Sequence, residues 1–403
     1  MHIHLLSVTS PGILCRRAGT VLLAGLVGLW SISPAPAAER KLAYQVGLYA
    51  GFDSNPLRLS GDERAGLFTE ARLDTVAGLK LSQRLGLFAD LAARARLHEA
   101  DLSNGDFNTL ELKAGSDAVL FRGSRSHLLV AAGGEYRRAR QTFTDRLTGE
   151  EYVVVEDATT SPPTTRAIPD RLDADSTGAF LNLRWRVNRR LSLFVDSALD
   201  RTDYAEDYEG STILSSLDHE RLWIQPGARV ALANDVSLEA AVSRADVDYD
   251  ERPARDGTGL EVPDVATSYR YTGYRLTLDF RPGPRWDARL GITTADRDDL
   301  YAGYYAYSDR AAYVWVRRPV GLKDTWQAYL SVRDLSYSSA TVTDEPNGEL
   351  RGSDVLRGVG RYERSLSPAL ILLVEAGLQR SDNPDPLYAY DRDWTMVGIR
   401  FRQ

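Results

Sequence analysis

Glu70-Ala-Arg-Leu-Asp-Thr-Val-Ala-Gly-Leu-Lys-Leu81, the link Ser82-Gln-Arg84, then Leu85-Gly-Leu-Phe-Ala-Asp-Leu-Ala-Ala-Arg-Ala-Arg-Leu97 decide how this chain folds. In the first run Ala71, Leu73, Thr75, Ala77, Leu79 and Leu81 alternate with Glu70, Arg72, Asp74, Val76, Gly78 and Lys80. In the second, Leu85, Leu87, Ala89, Leu91, Ala93, Ala95 and Leu97 alternate with Gly86, Phe88, Asp90, Ala92, Arg94 and Arg96. A period of two, with one apolar and one charged face, belongs to a strand half-buried in lipid or against a core.

The connections separate those two cases. Working outward from this pair, tight links at Arg122–Arg125, Asn188–Arg190, Ala233–Asp235, Arg281–Pro284, Pro319–Asp324 and Leu366–Pro368 alternate with longer polar stretches. The long ones are expected near 57–66, 99–106, 141–176, 204–218, 250–267, 298–308, 338–352 and 382–391. Strict short-long alternation marks an up-and-down membrane barrel, with short periplasmic turns and long external loops. A soluble sandwich would show Greek-key crossings instead. The expected fold is therefore all-β, a transmembrane antiparallel barrel of about sixteen strands (fourteen to eighteen), each of roughly ten residues. In Ala311-Ala-Tyr-Val-Trp-Val316 either parity gives a plausible lipid face, so the register around 298–318 and around 353–364 stays open.

Composition agrees. Charged residues make up 26 % of the 403 positions and formal net charge is −7. Mean hydropathy is negative, as expected when lipid-facing and lumen-facing residues alternate and average out. After residue 38 no apolar run is long enough for a membrane helix. Before it, Arg16-Arg17, the apolar stretch Ala18–Ile32 and the small-residue segment Ser33-Pro-Ala-Pro-Ala-Ala38 have the order of a secretory signal peptide. The expected division is residues 1–37 as a cleaved signal peptide and 38–403 as an outer-membrane barrel. The single cysteine, Cys15, lies inside the leader. The mature chain thus has no disulfide framework and no thiolate metal site. No basic block points to nucleic acid.

Trp185 and Phe280 lie just before expected short turns, and Trp286 and Trp326 just after them, all on outward positions. Such rings favour the lipid headgroup zone. The last strand alternates Thr395, Val397, Ile399 and Phe401 with Met396, Gly398 and Arg400. A terminal strand of this kind with an aromatic near its end resembles the signal read by the barrel-assembly machinery, although Arg402-Gln403 follow the aromatic here.

The lumenal parity carries the candidate functional residues: Arg72, Asp74, Asp90, Arg94, Arg96, Glu111, Arg184, Arg186, Arg229, Glu239, Arg275, Arg289, Arg333, Arg357 and Arg361. Arg400, Glu70, Asp117, Glu135, Asp196, Asp279, Asp287 and Glu375 share or neighbour that face. Guanidinium groups bind carboxylates with two prongs and keep their charge. These residues suit a water-filled pore with a transverse field, or else a cross-braced closed lumen. Sixteen strands leave an interior too wide for side chains alone to fill, which favours the pore. The segment 141–176, with Tyr152-Val-Val-Val155, Ser161-Pro-Pro163 and Asp170-Arg-Leu-Asp-Ala-Asp175, would either fold inward to narrow it or remain an external loop.

Tyr49-Ala-Gly-Phe-Asp-Ser-Asn-Pro56 ends the first strand. This motif and the strand rhythm resemble a loose group of Gram-negative barrels, the porin-2-like proteins and the barrel domain of surface lipoprotein assembly modifiers. The resemblance covers the barrel alone. It implies outer-membrane lipids and lipopolysaccharide, the assembly machinery and small hydrophilic solutes as partners. Read by itself, Asp53-Ser-Asn55 is an Asx-type turn leaving the strand in preference to a ligand site.

An enzyme would need chemistry at the rim. His98 in Leu97-His-Glu-Ala-Asp101 and His219 in Asp218-His-Glu220, with Ser215-Ser216 nearby, are the available residues; His127 is the third histidine of the mature chain. An Asp–His pair can activate water or a serine, but no nucleophile motif accompanies them. Asp246-Val-Asp-Tyr-Asp250 would hold Ca²⁺ only weakly. No cofactor is expected. The reading is a passive channel for hydrophilic solutes, with a barrel for polysaccharide or protein export as the alternative and a rim hydrolase third.

Overall fold

The computed structural model describes residues 39–58, 64–141, 154–157, 164–167, 172–205, 217–283, 285–342, 348–386 and 388–403. The expected signal peptide, most of segment 141–176 and Ser215-Ser216 lie outside them.

Eighteen strands follow in chain order: β1 (Glu39–Asp53), β2 (Gly66–Lys80), β3 (Leu85–His98), β4 (Phe107–Arg122), β5 (His127–Gln141), β6 (Val154–Asp157), β7 (Thr164–Ala167), β8 (Ala174–Arg186), β9 (Leu191–Tyr204), β10 (His219–Ala233), β11 (Val236–Arg255), β12 (Glu261–Gly283), β13 (Trp286–Asp299), β14 (Tyr307–Val320), β15 (Asp324–Thr341), β16 (Leu350–Ser365), β17 (Leu370–Asp382) and β18 (Tyr390–Arg402). Sixteen of them close a barrel in which each strand pairs antiparallel with its chain neighbour and β18 returns to β1. β6 and β7 form a separate two-stranded hairpin within the β5–β8 connection. A single 3₁₀ turn, Ala100–Gly105, joins β3 to β4. Among the described residues no helix is long and apolar enough to cross a membrane, which says nothing about strands.

The alternation becomes two surfaces. Leu48, Leu67, Leu199, Leu222, Ile292, Val332 and Val397 point outward and are exposed. Closure gives each barrel strand a hydrogen-bonded neighbour on both sides and leaves no free edge, which is what lipid requires. Trp185, Trp286 and Trp326 stand outward at the short-turn end. Trp326 packs on Tyr362 with ring centroids 4.8 Å apart, and Arg318 lies 4.8 Å over the Trp286 ring.

Several expectations need correction. The barrel strands run from 13 to 23 residues and are not uniformly about ten. The stretch 250–267 is no loop, because β11 and β12 continue through it as a tall hairpin turned at 256–260. Above the apolar belt no lipid faces the strand. The hairpin packs its inner side on polar and aromatic neighbours, with Ala254 and Thr267 buried and Arg252 and Arg255 beside the Tyr305 ring. The hydrophobic alternation that betrays a strand therefore fades while the ladder continues. Asp256 fixes the tip: its Oδ1 accepts from Thr258 Oγ1 at 2.6 Å, Thr258 N at 2.8 Å and Leu260 N at 3.1 Å. Those bonds, the Thr258 hydroxyl first, hold its carboxyl below the usual range. Gly259 follows with φ +89°, a left-handed backbone that side chains disfavour. Around 311–316 the open parity resolves: Ala311, Tyr313 and Trp315 share the face of lumenal Thr293, Gly291 and Arg289, while Ala312, Val314 and Val316 face out.

Candidate functional site: a charged lumen and its mouth

Strand register puts all fifteen candidate residues on the inward face, since Arg72, Arg94, Glu111, Arg275, Arg289, Arg333 and their cross-strand neighbours form continuous inward rows. Three levels differ in environment.

Near the short turns, pairs are wet. Arg184 meets Asp196 at 2.7 Å with its side chain 49 % exposed. Asp279 bridges Arg229 at 3.0 Å and Arg289 at 2.6 Å. Arg275 reaches Glu239 at 3.1 Å. Arg186 has a long bond to the Asn188 carbonyl at 3.4 Å.

At mid-height a cavity of about 550 Å³ is lined by Asp74, Asp90, Glu111, Lys113, Glu135 and Arg137, with Asp200 and Arg221 beyond. Lys113 bonds Glu135 at 3.4 Å and lies 3.8 Å over the Phe180 ring. Glu111, 61 % exposed, is 3.9 Å from Arg137. Asp74 and Asp90 have no ion-pair partner among the described residues. Across the barrel Arg333 holds Asp309 with two bonds of 2.9 Å. Arg361 holds Glu375 at 2.6 Å, and Arg357 lies 5.8 Å over Trp394.

Toward the long loops the charges become buried. Glu70, with a fully buried side chain, accepts from Arg72, from Arg94 at 2.9 Å and from Arg96 at 2.7 Å. Asp53 accepts two bonds from Arg392 Nε at 2.9 and 3.0 Å and one from Arg96 at 3.4 Å. The Asx turn is present, with Asn55 N donating to Asp53 Oδ1 at 3.3 Å, and Asn55 Nδ2 bonds the Asp391 carbonyl at 3.2 Å. Arg96, Arg94 and Arg72 therefore brace the β1–β3 wall here. Breaking one partner of such a buried pair costs about 3–5 kcal/mol, against about 1 kcal/mol or less for the wet pairs below.

At the long-loop mouth the connections fold inward. Leu57, Leu102, Leu172, Leu217, Tyr304, Tyr305 and Ala340 join Tyr204, Tyr249 and Tyr269 in one buried cluster. Leu102 sits between β3 and β4 and Tyr304 between β13 and β14, on opposite sides of the ring. The cluster thus spans the mouth. Arg297 anchors one side of it: the guanidinium lies 4.3 Å over Tyr269 and 4.1 Å over Tyr307, and Nε donates to the Tyr305 carbonyl at 3.0 Å. Asp299 accepts from Tyr301 N and Tyr305 N, both at 3.1 Å. Gly303, at φ +77°, turns the loop back on itself.

Both rim histidines are buried. His98 bonds Asp106 at 3.2 Å with its side chain 1 % exposed. His219 is fully buried, bonded to the Leu217 carbonyl at 2.9 Å and packed between Tyr204 and Tyr249. Asp246 is taken by Arg244 and Arg270, and Asp250 by Arg201. No group of three potential metal ligands occurs among the described residues. Sequence reasoning passed over Asp53, Arg137, Arg297, Asp309 and Arg392 as lumenal charges. Arg297 borders and Asp309 lies within the stretch of open register, 298–318, and Arg392 follows an expected loop.

No protein-family model matches the chain, and no curated protein does. Among solved structures it is similar to in-vitro folded OmpT, an outer-membrane protein of Vibrio cholerae: TM-score 0.46 and 10 % identity, over 93 % of this chain and 100 % of that one. It is similar also to an anion-selective porin from Comamonas acidovorans, with TM-score 0.44 and 12 % identity over 91 % and 100 % of the chains. A bacterial polysaccharide outer-membrane secretin gives TM-score 0.43 and 9 % identity over 90 % and 98 %. The strand pairing, and not this distant likeness, establishes the barrel.

Proposed function

We propose that the protein is a passive outer-membrane channel for hydrophilic solutes, with a charged lumen narrowed at the long-loop mouth. The observation that carries this reading is the contrast along the axis. Charges near the short turns and at mid-height are wet, with Arg184, Arg289 and Glu111 between 49 and 61 % exposed. At the upper level Glu70 and Arg96 are buried to 0 and 4 % exposure. Space beside a charged wall is space for water and dissolved solutes. The apolar belt supports a membrane setting, and the exported, outer-membrane location expected from the leader is part of the same proposal. Arg72, Arg94 and Arg96 act in this reading as bracing, while Asp74, Asp90, Glu111, Arg184, Arg186, Arg229, Glu239, Arg275, Arg289, Arg333, Arg357 and Arg361 tune selectivity. Transport follows the solute gradient and needs no catalytic group.

Liposome swelling tests it. Vesicles holding the refolded protein should swell in small sugars and amino acids and resist large oligosaccharides. Swelling no faster than in protein-free vesicles, with the barrel folded, would overturn the proposal and favour export of a partner-delivered polymer.

A further inference from the structure

Outside the barrel, above the apolar belt, most of the collar arginines are consumed by carboxylates. Arg138 and Arg140 take Asp175. Arg201 takes Asp203, Glu220 and Asp250. Arg244 and Arg270 take Asp246, and Arg380 takes Asp391 and Asp393. Arg310 on β14 breaks this pattern. One straight cross-strand row reads Thr294, Arg310, Asp334, Asp354, Asp382. Arg310 is exposed and makes no ion pair among the described residues, although Asp334 is its register partner; Asp334 instead accepts from Ser336 Oγ at 2.8 Å. Asp354 and Asp382 face each other, and the cation beside them on that face, Arg380, is committed to Asp391 and Asp393. Like charges directly opposite on neighbouring strands destabilise a sheet unless something neutralises them.

Immediately below lies the row Ile292, Ala312, Val332, Leu356, Arg380, whose terminal guanidinium is held by Asp391 and Asp393. Ala312 is the small residue between bulky neighbours, and both rows line a shallow groove of about 730 Å³ on the outer wall. The groove is continuous with the lipid-facing belt, and its upper edge carries Arg310 followed by a run of carboxylates.

We propose that this groove binds a zwitterionic phospholipid. An acyl chain lies over Ala312, the phosphate sits on Arg310, and the headgroup ammonium lies over the aspartate row. Adjacent strands are about 5 Å apart, which matches the short reach between phosphate and ammonium. A guanidinium binds phosphate oxygens with two prongs, and an ammonium relieves the repulsion among Asp334, Asp354 and Asp382. A purely anionic lipid would satisfy Arg310 and aggravate that repulsion. The inference rests on the membrane setting and is independent of solute passage.

Native mass spectrometry of the delipidated full-length barrel tests it, with phosphatidylethanolamine, phosphatidylglycerol and a phosphorylated glucosamine glycolipid offered together. The expected result is a preference of about tenfold for phosphatidylethanolamine over phosphatidylglycerol. Arg310→Gln and Ala312→Phe should abolish it and Arg270→Gln should not. Arg310→Gln changes only an exposed side chain, so it serves even if Ala312→Phe fails to fold. Equal retention of the two phospholipids, or a preference untouched by Arg310→Gln, would overturn the proposal. So would glycolipid binding that EDTA abolishes, which would give the aspartate row to a divalent cation. Conductance should be unchanged in Arg310→Gln, so failure here leaves the channel reading standing.

Discussion

Asp53 closes β1 and Arg392 opens β18; 339 residues apart in sequence, they form a buried ion pair across the seam where the chain's first strand meets its last. Arg392 Nε lies 2.9 and 3.0 Å from the two carboxylate oxygens. Arg96 joins from β3, so the motif that ends the first strand also ties three strands together.

Asp53→Ala should therefore destabilise the barrel by about 3–5 kcal/mol, because it leaves buried guanidinium groups uncompensated. Guanidinium unfolding in lipid vesicles would show the shift. The double variant with Arg392→Ala should lose less than the sum of the single losses by about 1 kcal/mol or more. Strict additivity would mean that the pair contributes nothing to seam closure.

The two residues beyond the terminal aromatic extend the same seam. Gln403 exchanges backbone bonds of 3.0 and 3.1 Å with Tyr44 and accepts the Tyr44 hydroxyl at 2.6 Å. Deleting Gln403 should cost about 1 kcal/mol for each hydrogen bond lost and slow refolding into vesicles, followed by heat-modifiable migration. Unchanged stability would assign the seam wholly to the residues above.

Arg297 holds the β13–β14 loop through the Tyr305 carbonyl and a cage of tyrosines. Arg297→Leu removes a buried cation and leaves that carbonyl without its donor, at a cost of about 1–3 kcal/mol. Hydrogen exchange across 300–306 should rise while the barrel strands stay protected. Equal protection in both proteins would show that the loop is held by its apolar contacts alone.

Asp74 and Asp90 are wet lumenal carboxylates without ion partners among the described residues, so their field acts on passing ions and not on a neighbouring arginine. Asp74→Asn with Asp90→Asn should shift the reversal potential in a salt gradient toward anion preference. An unchanged potential would place selectivity elsewhere in the lumen.

Much of this architecture is legible in sequence because lipid and water impose opposite demands on alternate residues. β2 and β3 declare themselves, and the lumenal parity follows from them. Legibility fails where the solvent contrast fails. The β11–β12 extension has no lipid-facing row and packs its arginines on the Tyr305 ring, so Asp250–Arg255 reads as loop. Ala311–Val316 is apolar on both parities because Tyr313 and Trp315 line the lumen with rings. Asp53 betrays its Asx turn locally, yet nothing near it announces Arg392. Tyr307 and Tyr337 meet as cross-strand partners, whereas Tyr304 and Tyr305 join the mouth cluster from the β13–β14 loop, and no local spacing encodes that second meeting.

The central claim is a wet, charged lumen narrowed by the inward loops of the long-loop mouth. It is tested most directly by single-channel conductance in planar bilayers, comparing the refolded protein with a variant carrying Tyr304→Ala and Tyr305→Ala. The account predicts stable small steps for the natural sequence and larger steps for the variant. Folded barrels that are silent in both forms would contradict it.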